Sequence, residues 1–235
     1  MIYTASRDRT IKVWNADPIP STKDVGKLVK TLQGHGHRVN TLALSTDYLC
    51  RTGPFYPNSK FMPRSLTETN IEEAYKIAYD HYREETGGET ERLISGSDDY
   101  TLFLWHPKES KHPIKRMTGH QNLVNHINFS PDGRYVASAA FDSKIKIWNG
   151  KSGEFMTTLH GHVGAVYQVT WSADSRYLVS ASKDSTAKLW EMTNLKNAKE
   201  TLPGHADEVY ALDWSPLGNS VATGSKDRTI KIWKH

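Results

Sequence analysis

Short apolar segments separated by polar turns recur along the 235-residue chain. Two of them, "RYLVSAS" (176–182) and "TAKLW" (186–190), are bounded by the turn segments "SADS" (172–175) and "KDS" (183–185). Segments of this length and composition, with turn residues on either side, are typical of β-strands. No apolar run approaches the ~18 residues that a membrane-spanning helix needs. The pattern therefore predicts an all-β protein built from short strands.

The strands belong to units that repeat along the sequence. Four units begin with Gly-His-x-x-x-Val, as "GHGHRV" (34–39), "GHQNLV" (119–124), "GHVGAV" (161–166) and "GHADEV" (204–209). Each continues with an alternating apolar segment, a turn, a second strand, and an Asp followed six residues later by a Trp. From Trp105 onward, successive members of this Trp series are 43, 42 and 43 residues apart. A fixed period of this length indicates a repeat architecture.

The spacing and the segments "FSPDGRYVASAAFDSKIKIW" (129–148) and "WSADSRYLVSASKDSTAKLW" (171–190) resemble the WD40 family. The resemblance implies a β-propeller in which each repeat supplies four antiparallel strands to one blade. Four complete repeats and a partial one are too few for the usual ring, so we expect an incomplete ring. The expected units are a partial repeat at 1–16, a repeat with an insertion (at about 50–90) at 26–107, and repeats at 111–150, 153–192 and 196–235.

The WD40 resemblance also implies a hydrogen-bonded tetrad in each complete repeat. In it the Asp accepts from the His, the His reaches a Ser or Thr hydroxyl, and that hydroxyl takes the indole N–H of the Trp. Such a chain satisfies polar groups that packing buries. The expected tetrads are His35–Ser95–Asp99–Trp105, His120–Ser138–Asp142–Trp148, His162–Ser180–Asp184–Trp190 and His205–Thr223–Asp227–Trp233. The first unit has only Thr4, Asp8 and Trp14.

One repeat carries a long insertion, because 64 residues separate His35 from Asp99 where the later repeats have 22. The excess lies between the first and second strands of one blade. Its first half reads as an irregular loop rich in Pro and Gly, and its second half as a helix with Thr69 and Glu72 as a capping box and Gly87–Gly88 as its end. One face of that helix would carry Ile71, Tyr75, Ala78 and Tyr82. This apolar face either packs on its own blade or docks a partner.

Composition and motifs exclude several classes of protein. The N-terminus lacks a basic segment followed by an apolar run, so the sequence does not support a secretory signal. The single cysteine, Cys50, cannot form an internal disulfide, which favours a reducing compartment. The recurring Ser, His and Asp invite comparison with a hydrolase triad, but the set occurs four times and no Gly-x-Ser-x-Gly motif is present. A His pair such as His35/His37 is a weak metal signal when one member has a structural role. We expect no enzyme activity, no metal and no cofactor.

The predicted role is that of a binding platform, with its binding face where the His and Asp turns cluster. Aromatic side chains there would act as anchors, and basic ones would favour acidic or phosphorylated protein or an RNA backbone. A net charge of +4 is compatible with either partner. The candidate residues of this face are Arg7, Arg38, Asn40, Phe141, Tyr167, Lys183, Tyr210 and Lys226.

The segments "HRVNTLALSTDYLCRTGPF" (37–55), "LISGSDDYTLFLWHP" (93–107) and "KRMTGHQNLVNHINFSPDGRYVASAAFDSKIKIWNGKSGEF" (115–155) resemble one branch of the WD40 family, the Notchless-type proteins. The resemblance implies a nuclear and nucleolar factor in assembly of the large (60S) ribosomal subunit, with a pre-60S particle (protein and rRNA) as partner, and a link to Notch signalling. It also implies a ubiquitin-like domain that engages the midasin-type AAA ATPase. That domain and the first half of the propeller have no counterpart here, so we expect an isoform, a fragment or a partial gene model.

Two other functions remain open at this point. A substrate receptor of a ubiquitin ligase would favour several Arg converging on one pocket, whereas basic residues here alternate with Asp98, Phe141 and Glu208. A signalling scaffold of the G-protein-β type would favour an N-terminal coiled-coil helix, which the sequence lacks.

Overall fold

The computed structural model describes residues 1–16, 25–48, 76, 79–80, 82–84, 88–215 and 218–234. Apart from the helical residues Asp47 and Tyr48 and a few helical residues in the insertion, regular structure in these ranges consists of short β-strands. The strands are β1 (Ile2–Ala5), β2 (Thr10–Trp14), β3 (Leu28–Gln33), β4 (Val39–Leu44), β5 (Leu93–Ser97), β6 (Leu102–Trp105), β7 (Lys115–Met117), β8 (Val124–Phe129), β9 (Tyr135–Ala140), β10 (Ile145–Asn149), β11 (Phe155–Leu159), β12 (Val166–Trp171), β13 (Tyr177–Ser182), β14 (Ala187–Glu191), β15 (Glu200–Leu202), β16 (Val209–Trp214), β17 (Ser220–Ser225) and β18 (Ile230–Lys234).

These strands form five antiparallel sheets in chain order, which we number 1 to 5. Sheets 2, 3 and 4 have four strands each, and sheets 1 and 5 have three. Every sheet is a meander in which sequence neighbours pair, as expected for strands joined by short turns. The sheets are β1–β2–β3, β4–β5–β6–β7, β8–β9–β10–β11, β12–β13–β14–β15 and β16–β17–β18. The prediction of an all-β protein made of WD40 blades is confirmed.

One prediction about strand assignment was wrong. We expected each sequence repeat to supply all four strands of its own blade, but the outermost strand comes from the next repeat. For example, β11 (Phe155–Leu159) pairs with β10, with Ile145 opposite Leu159 and Lys146 opposite Thr158. The reason is chain direction: the segment before each Gly-His runs back along the outer edge of the sheet just completed. The chain then crosses to the inner edge of the following sheet.

The innermost strands β1, β4, β8, β12 and β16 lie beside one another, so each sheet packs face to face on the next. A hydrophobic cluster fills each of the four intervening spaces. Trp105, Trp148 and Trp190 are buried at these junctions, with at most 1% of their surface exposed. The described residues form a row of sheets and not a closed ring.

Sheet 5 differs from the others in the exposure of one face. Ile230 and Ile232 of β18 are 78% and 68% exposed, whereas Ile145 and Ile147 of β10 are 1% and 0% exposed. The two pairs are equivalent, since each lies opposite small residues of the neighbouring strand in the same register. The difference arises because sheet 4 covers the face of β10, while no described residue covers that of β18.

Only part of the insertion is described. Residues 76, 79–80 and 82–84 are helical, and Gly88, with φ of +75°, donates its N–H to the carbonyl of Arg83 at 3.2 Å. A hydrogen bond to the carbonyl five residues earlier, together with a glycine at positive φ, is typical of a helix C-terminus. The predicted cap at Thr69 and Glu72 lies outside the described residues, as do Ile71, Tyr75 and Ala78. No helix in the described ranges is long and apolar enough to cross a membrane.

Candidate binding face

The turn that contains the Asp joins β1 to β2 in sheet 1 and the second strand to the third in the other sheets, and it has the same backbone geometry in all five. In four sheets the Asp side chain accepts the N–H and hydroxyl of the Thr two residues later, as Asp184 does from Thr186 at 3.1 and 2.6 Å. In all five sheets the residue after the Asp adopts a left-handed conformation with φ between 63° and 72°, which is rare outside glycine. These residues are Arg9, Tyr100, Ser143, Ser185 and Arg228. The Asp stabilises the turn, because its carboxylate offers an acceptor that the backbone lacks.

The structure brings each complete tetrad together. In sheet 4, His162 Nδ1 lies 2.8 Å from Asp184 Oδ2, and His162 Nε2 lies 2.7 Å from Ser180 Oγ. Trp190 donates its indole N–H to the same Ser180 oxygen at 2.9 Å. The sets in sheets 2, 3 and 5 have distances of 2.7–3.0 Å for the same bonds. In sheet 1, Trp14 donates to Thr4 at 2.8 Å, and Asp8 accepts from Thr10.

The tetrad aspartates are held in the ionised form. Burial alone would raise the pKa of Asp184, but hydrogen bonds from His162 and Thr186 outweigh it and bring that pKa well below its usual range. The same balance lowers the pKa of Asp99 and of Asp142. At Asp227 the bond from Thr229 is the main cause of the lowering. These carboxylates therefore act as permanent acceptors at neutral pH.

The tetrad hydroxyls are buried and engaged in hydrogen bonds. Ser95, Ser138 and Ser180 are fully buried, with 0% exposure. Each also accepts an indole N–H while it contacts a histidine. A hydroxyl in this position cannot reach a substrate carbonyl, which a nucleophilic serine must do. Among the described residues, no group of three or more His, Cys, Asp or Glu side chains has the geometry of a metal site.

Three aromatic rings form the centre of the candidate face. Phe141 of the turn after β9 meets Tyr167 of β12 edge to face, with ring centroids 5.6 Å apart. Tyr167 in turn lies 5.0 Å from Tyr210 of β16. The hydroxyl of Tyr167 donates to Glu208 at 2.6 Å. Tyr210 is 45% exposed, so this row across sheets 3, 4 and 5 presents a ring surface to solvent.

Charge on this part of the face is concentrated around Glu208. Burial and the hydrogen bond to this carboxylate raise the pKa of Tyr167 well above that of free tyrosine, and they raise the pKa of Tyr210 as well. The Tyr167 hydrogen bond lowers the pKa of Glu208. Lys226 lies 3.4 Å from Asp207 and 3.8 Å from Glu208. The aromatic row is therefore flanked by ion pairs and is not uniformly basic.

Arg38 and Asn40 lie on the face but are engaged with one carboxylate. Both donate to Asp98 of the neighbouring turn, and Asn40 also donates to the carbonyl of Val124 at 3.1 Å. His37 approaches the same Asp98 at 3.5 Å. This cluster ties the sheet 2 turn to β4 and to sheet 3. These two candidate residues of the binding face are therefore less available to a partner than the aromatic row.

The remaining two candidates are surface lysine and arginine side chains. Arg7 is exposed on the turn between β1 and β2, and Lys183 is exposed on the turn between β13 and β14. The charge of Lys183 contributes to the lowered pKa of Glu208, which places it near the aromatic row. The structure thus brings Phe141, Tyr167, Lys183, Tyr210 and Lys226 into one region. Arg38 and Asn40 form a second cluster.

Some participants were not identified from the sequence. The threonines that support the Asp turns, Thr10, Thr101, Thr186 and Thr229, follow a repeated Asp-x-Thr spacing that could have revealed them. Asp207 carries no such signal, because its role depends on a lysine 19 positions away in the next turn.

The fold and the tetrads define a class of protein. The model of the family "WD domain, G-beta repeat" matches residues 1–15, 111–149, 153–191 and 196–234. These ranges make up more than half of the chain, which therefore belongs to the WD40-repeat family.

Within this family, parts of the chain are similar to three proteins of known name. Over 136 residues the chain is 47% identical to Ribosome assembly protein 4 of Saccharomyces cerevisiae, an alignment that covers 57% of this chain and 25% of that protein. It is 48% identical over 132 residues to Protein Notchless of Drosophila melanogaster, covering 56% of this chain and 25% of the relative. It is 56% identical over 80 residues to a Notchless protein homolog of Arabidopsis thaliana, covering 34% and 17%. The aligned part spans about a quarter or less of each of these relatives.

Proposed function

We propose that this chain is a non-enzymatic binding scaffold that takes part in assembly of the large ribosomal subunit. The observation that carries the proposal is its 47% identity to a ribosome assembly protein over more than half of its length. Its partner would be a pre-60S particle, and its place of action the nucleus and nucleolus. The name Notchless, carried by two relatives, supports a second role in the Notch signalling pathway.

The face that would contact the particle is the aromatic row Phe141–Tyr167–Tyr210, with Lys183 and Lys226 beside it. Tyrosines that combine a fixed ring and an exposed edge bury much area at low entropic cost, which is why they dominate interface energies. The neighbouring lysines are suited to phosphate oxygens of RNA or to acidic side chains. The resemblance assigns contact with the midasin-type ATPase to a ubiquitin-like domain, and that contact is not part of the proposal.

Sedimentation tests this function. The tagged chain is expressed in yeast and its nuclear extract is separated on a sucrose gradient, with and without EDTA. We expect the chain in fractions that contain precursors of the large subunit, and we expect EDTA, which removes the Mg²⁺ that compacts ribosomal RNA, to move the chain and those precursors together to more slowly sedimenting fractions. A ubiquitin-ligase receptor or a signalling scaffold would remain in light fractions in both gradients, and that result would contradict the proposal.

A further inference from the structure

A cavity of about 380 Å³ opens on the side of the sheets opposite the His–Asp turns. It lies where the turns between first and second strands of sheets 2, 3 and 4 meet. The described residues that matter for its chemistry are Thr46, Glu89, Arg92, Asp132, Asp174 and Ser175. The cavity is polar and large enough for a small anionic group together with water.

Arg92 replaces an aromatic residue at this position. It lies three residues before the tetrad serine of its sheet, where sheets 3 and 4 have Tyr135 and Tyr177. Tyr135 stacks on Trp171 of the next sheet, with ring centroids 6.2 Å apart. Arg92 instead places its guanidinium against the turn of sheet 3, where a methyl group built on Gly133 would lie 3.3 Å from Nη2. A charged group thus occupies a position that an aromatic ring fills in sheets 3 and 4.

The guanidinium is buried and has few acceptors. The side chain of Arg92 is 9% exposed, and among the described residues its one carboxylate partner is Glu89, at 3.4 Å from Nη2. No residue in the part of the chain that the structure describes accepts a hydrogen bond from its buried Nε. Burial lowers the pKa of Arg92 from its ordinary value. A guanidinium has five N–H donors, and leaving them unsatisfied out of water is costly.

The acidic residues of the cavity are already paired. Asp132 is held by Arg134 at 2.6 Å, and Asp174 by Arg176 at 2.5 Å. Glu89 is also bound by Lys151. The group around the cavity whose charge and donors are least satisfied is therefore the cation Arg92.

We propose that this cavity binds an anionic oxygen group, a carboxylate or a phosphate, with Arg92 as its main donor. Guanidinium pairs with both groups through parallel hydrogen bonds, and the bond is strong when water is excluded. The hydroxyl of Ser175, which accepts the N–H of Asp132 at 3.2 Å, lines the same space and can donate to the ligand. The site is on the opposite side from the aromatic row, so it does not depend on the proposed function.

The test is an NMR titration of the ¹⁵N-labelled chain at constant ionic strength, with inorganic phosphate in one series and acetate in another. We expect saturable shifts of the Arg92 Nε–Hε signal and of the amides of Asp132, Gly133 and Ser175. A response to phosphate alone assigns the site to a phosphorylated group, and a response to acetate alone assigns it to a carboxylate; either supports the proposal. The absence of a saturable response to both anions, or shifts centred elsewhere, would overturn it.

Two variants complete the test. Arg92→Gln should weaken binding of the anion about tenfold or more, because it removes the charged donor. Arg116→Gln is the control, since Arg116 is an exposed arginine of β7 that does not line the cavity; the anion affinity of this variant should stay within about twofold of wild type. Equal binding by Arg92→Gln would overturn the proposal. If the Arg92→Gln variant does not fold, the residues whose NMR signals shift in the wild-type chain decide whether the anion binds beside Arg92.

Discussion

The hydroxyl of Tyr167 donates a 2.6 Å hydrogen bond to Glu208, a residue 41 positions later in the next repeat. The bond joins β12 to the start of β16 across the junction of sheets 4 and 5. It also fixes the ring of Tyr167 between Phe141 and Tyr210, at 5.6 and 5.0 Å. The aromatic row of the candidate binding face is therefore held in place by a contact between two blades.

This bond should be visible in the titration of Tyr167. Burial and the carboxylate of Glu208 raise the tyrosine pKa, so we expect the ¹³Cζ signal of Tyr167 to titrate at higher pH than that of free tyrosine. Glu208→Gln removes the negative charge and should shift this transition to lower pH. Asp213→Asn, a change elsewhere on β16, is the control and should leave it in place. An unchanged Tyr167 transition in Glu208→Gln would show that the bond is absent in solution.

The tetrad hydroxyls should contribute measurably to stability. Ser180→Ala leaves the indole N–H of Trp190 and one nitrogen of His162 buried without a partner, which should lower the free energy of unfolding by about 1–3 kcal/mol. Ser180→Thr is the control, because Thr223 holds the same position in sheet 5. Urea denaturation followed by tryptophan fluorescence measures both variants. A Ser180→Ala variant as stable as wild type would contradict the structural role of the tetrads.

Equivalent isoleucines in two sheets should respond differently to truncation. Ile147 is fully buried, so Ile147→Ala should lower the free energy of unfolding by about 2–5 kcal/mol. Ile232 is 68% exposed, and Ile232→Ala should change the free energy of unfolding by less than about 0.5 kcal/mol. The comparison uses the same substitution at the same position of a repeat. Similar losses in both variants would mean that the face of β18 is covered in solution.

Stability should fall in acid because of the tetrad aspartates. The folded chain keeps Asp99, Asp142 and Asp184 ionised through hydrogen bonds that outweigh burial, whereas in the unfolded chain their pKa is about 3.9. The unfolded chain then binds more protons below that pH, so the free energy of unfolding decreases. We expect this contribution to be complete above about pH 5 and to be lost progressively below about pH 4. Urea titrations from pH 6 to pH 3 measure it.

One substitution isolates this effect. Asp184→Asn keeps an acceptor for His162 but cannot titrate, so its stability should depend less steeply on pH than that of wild type. An equal slope in both proteins would assign the acid sensitivity to other groups.

The repeats explain why so much could be predicted. Each repeat places His, Ser or Thr, Asp and Trp at a fixed spacing, and the strands around them alternate between buried and exposed positions, so local sequence determines both blade and tetrad. The sequence did not predict which sheet the outermost strand of each repeat joins, because alternation identifies a strand but not the sheet edge with which it pairs. Contacts between repeats, such as Asn40 with the carbonyl of Val124 or Tyr167 with Glu208, depend on how neighbouring blades meet, which spacing does not reveal. Arg92 could have been noticed only as a departure from Tyr135 and Tyr177.

The central claim is that the aromatic row attaches this chain to a precursor of the large ribosomal subunit. The most direct measurement compares three forms on the sucrose gradient: wild type, Tyr167→Ala/Tyr210→Ala, and the opposite-side control Arg134→Gln/Arg176→Gln. We predict that wild type and the control sediment with the particle, and that the tyrosine variant, still folded by circular dichroism, moves to light fractions with a loss of about tenfold or more in the bound share. A tyrosine variant that stays with the particle, or a wild-type chain found only in light fractions, would contradict the claim.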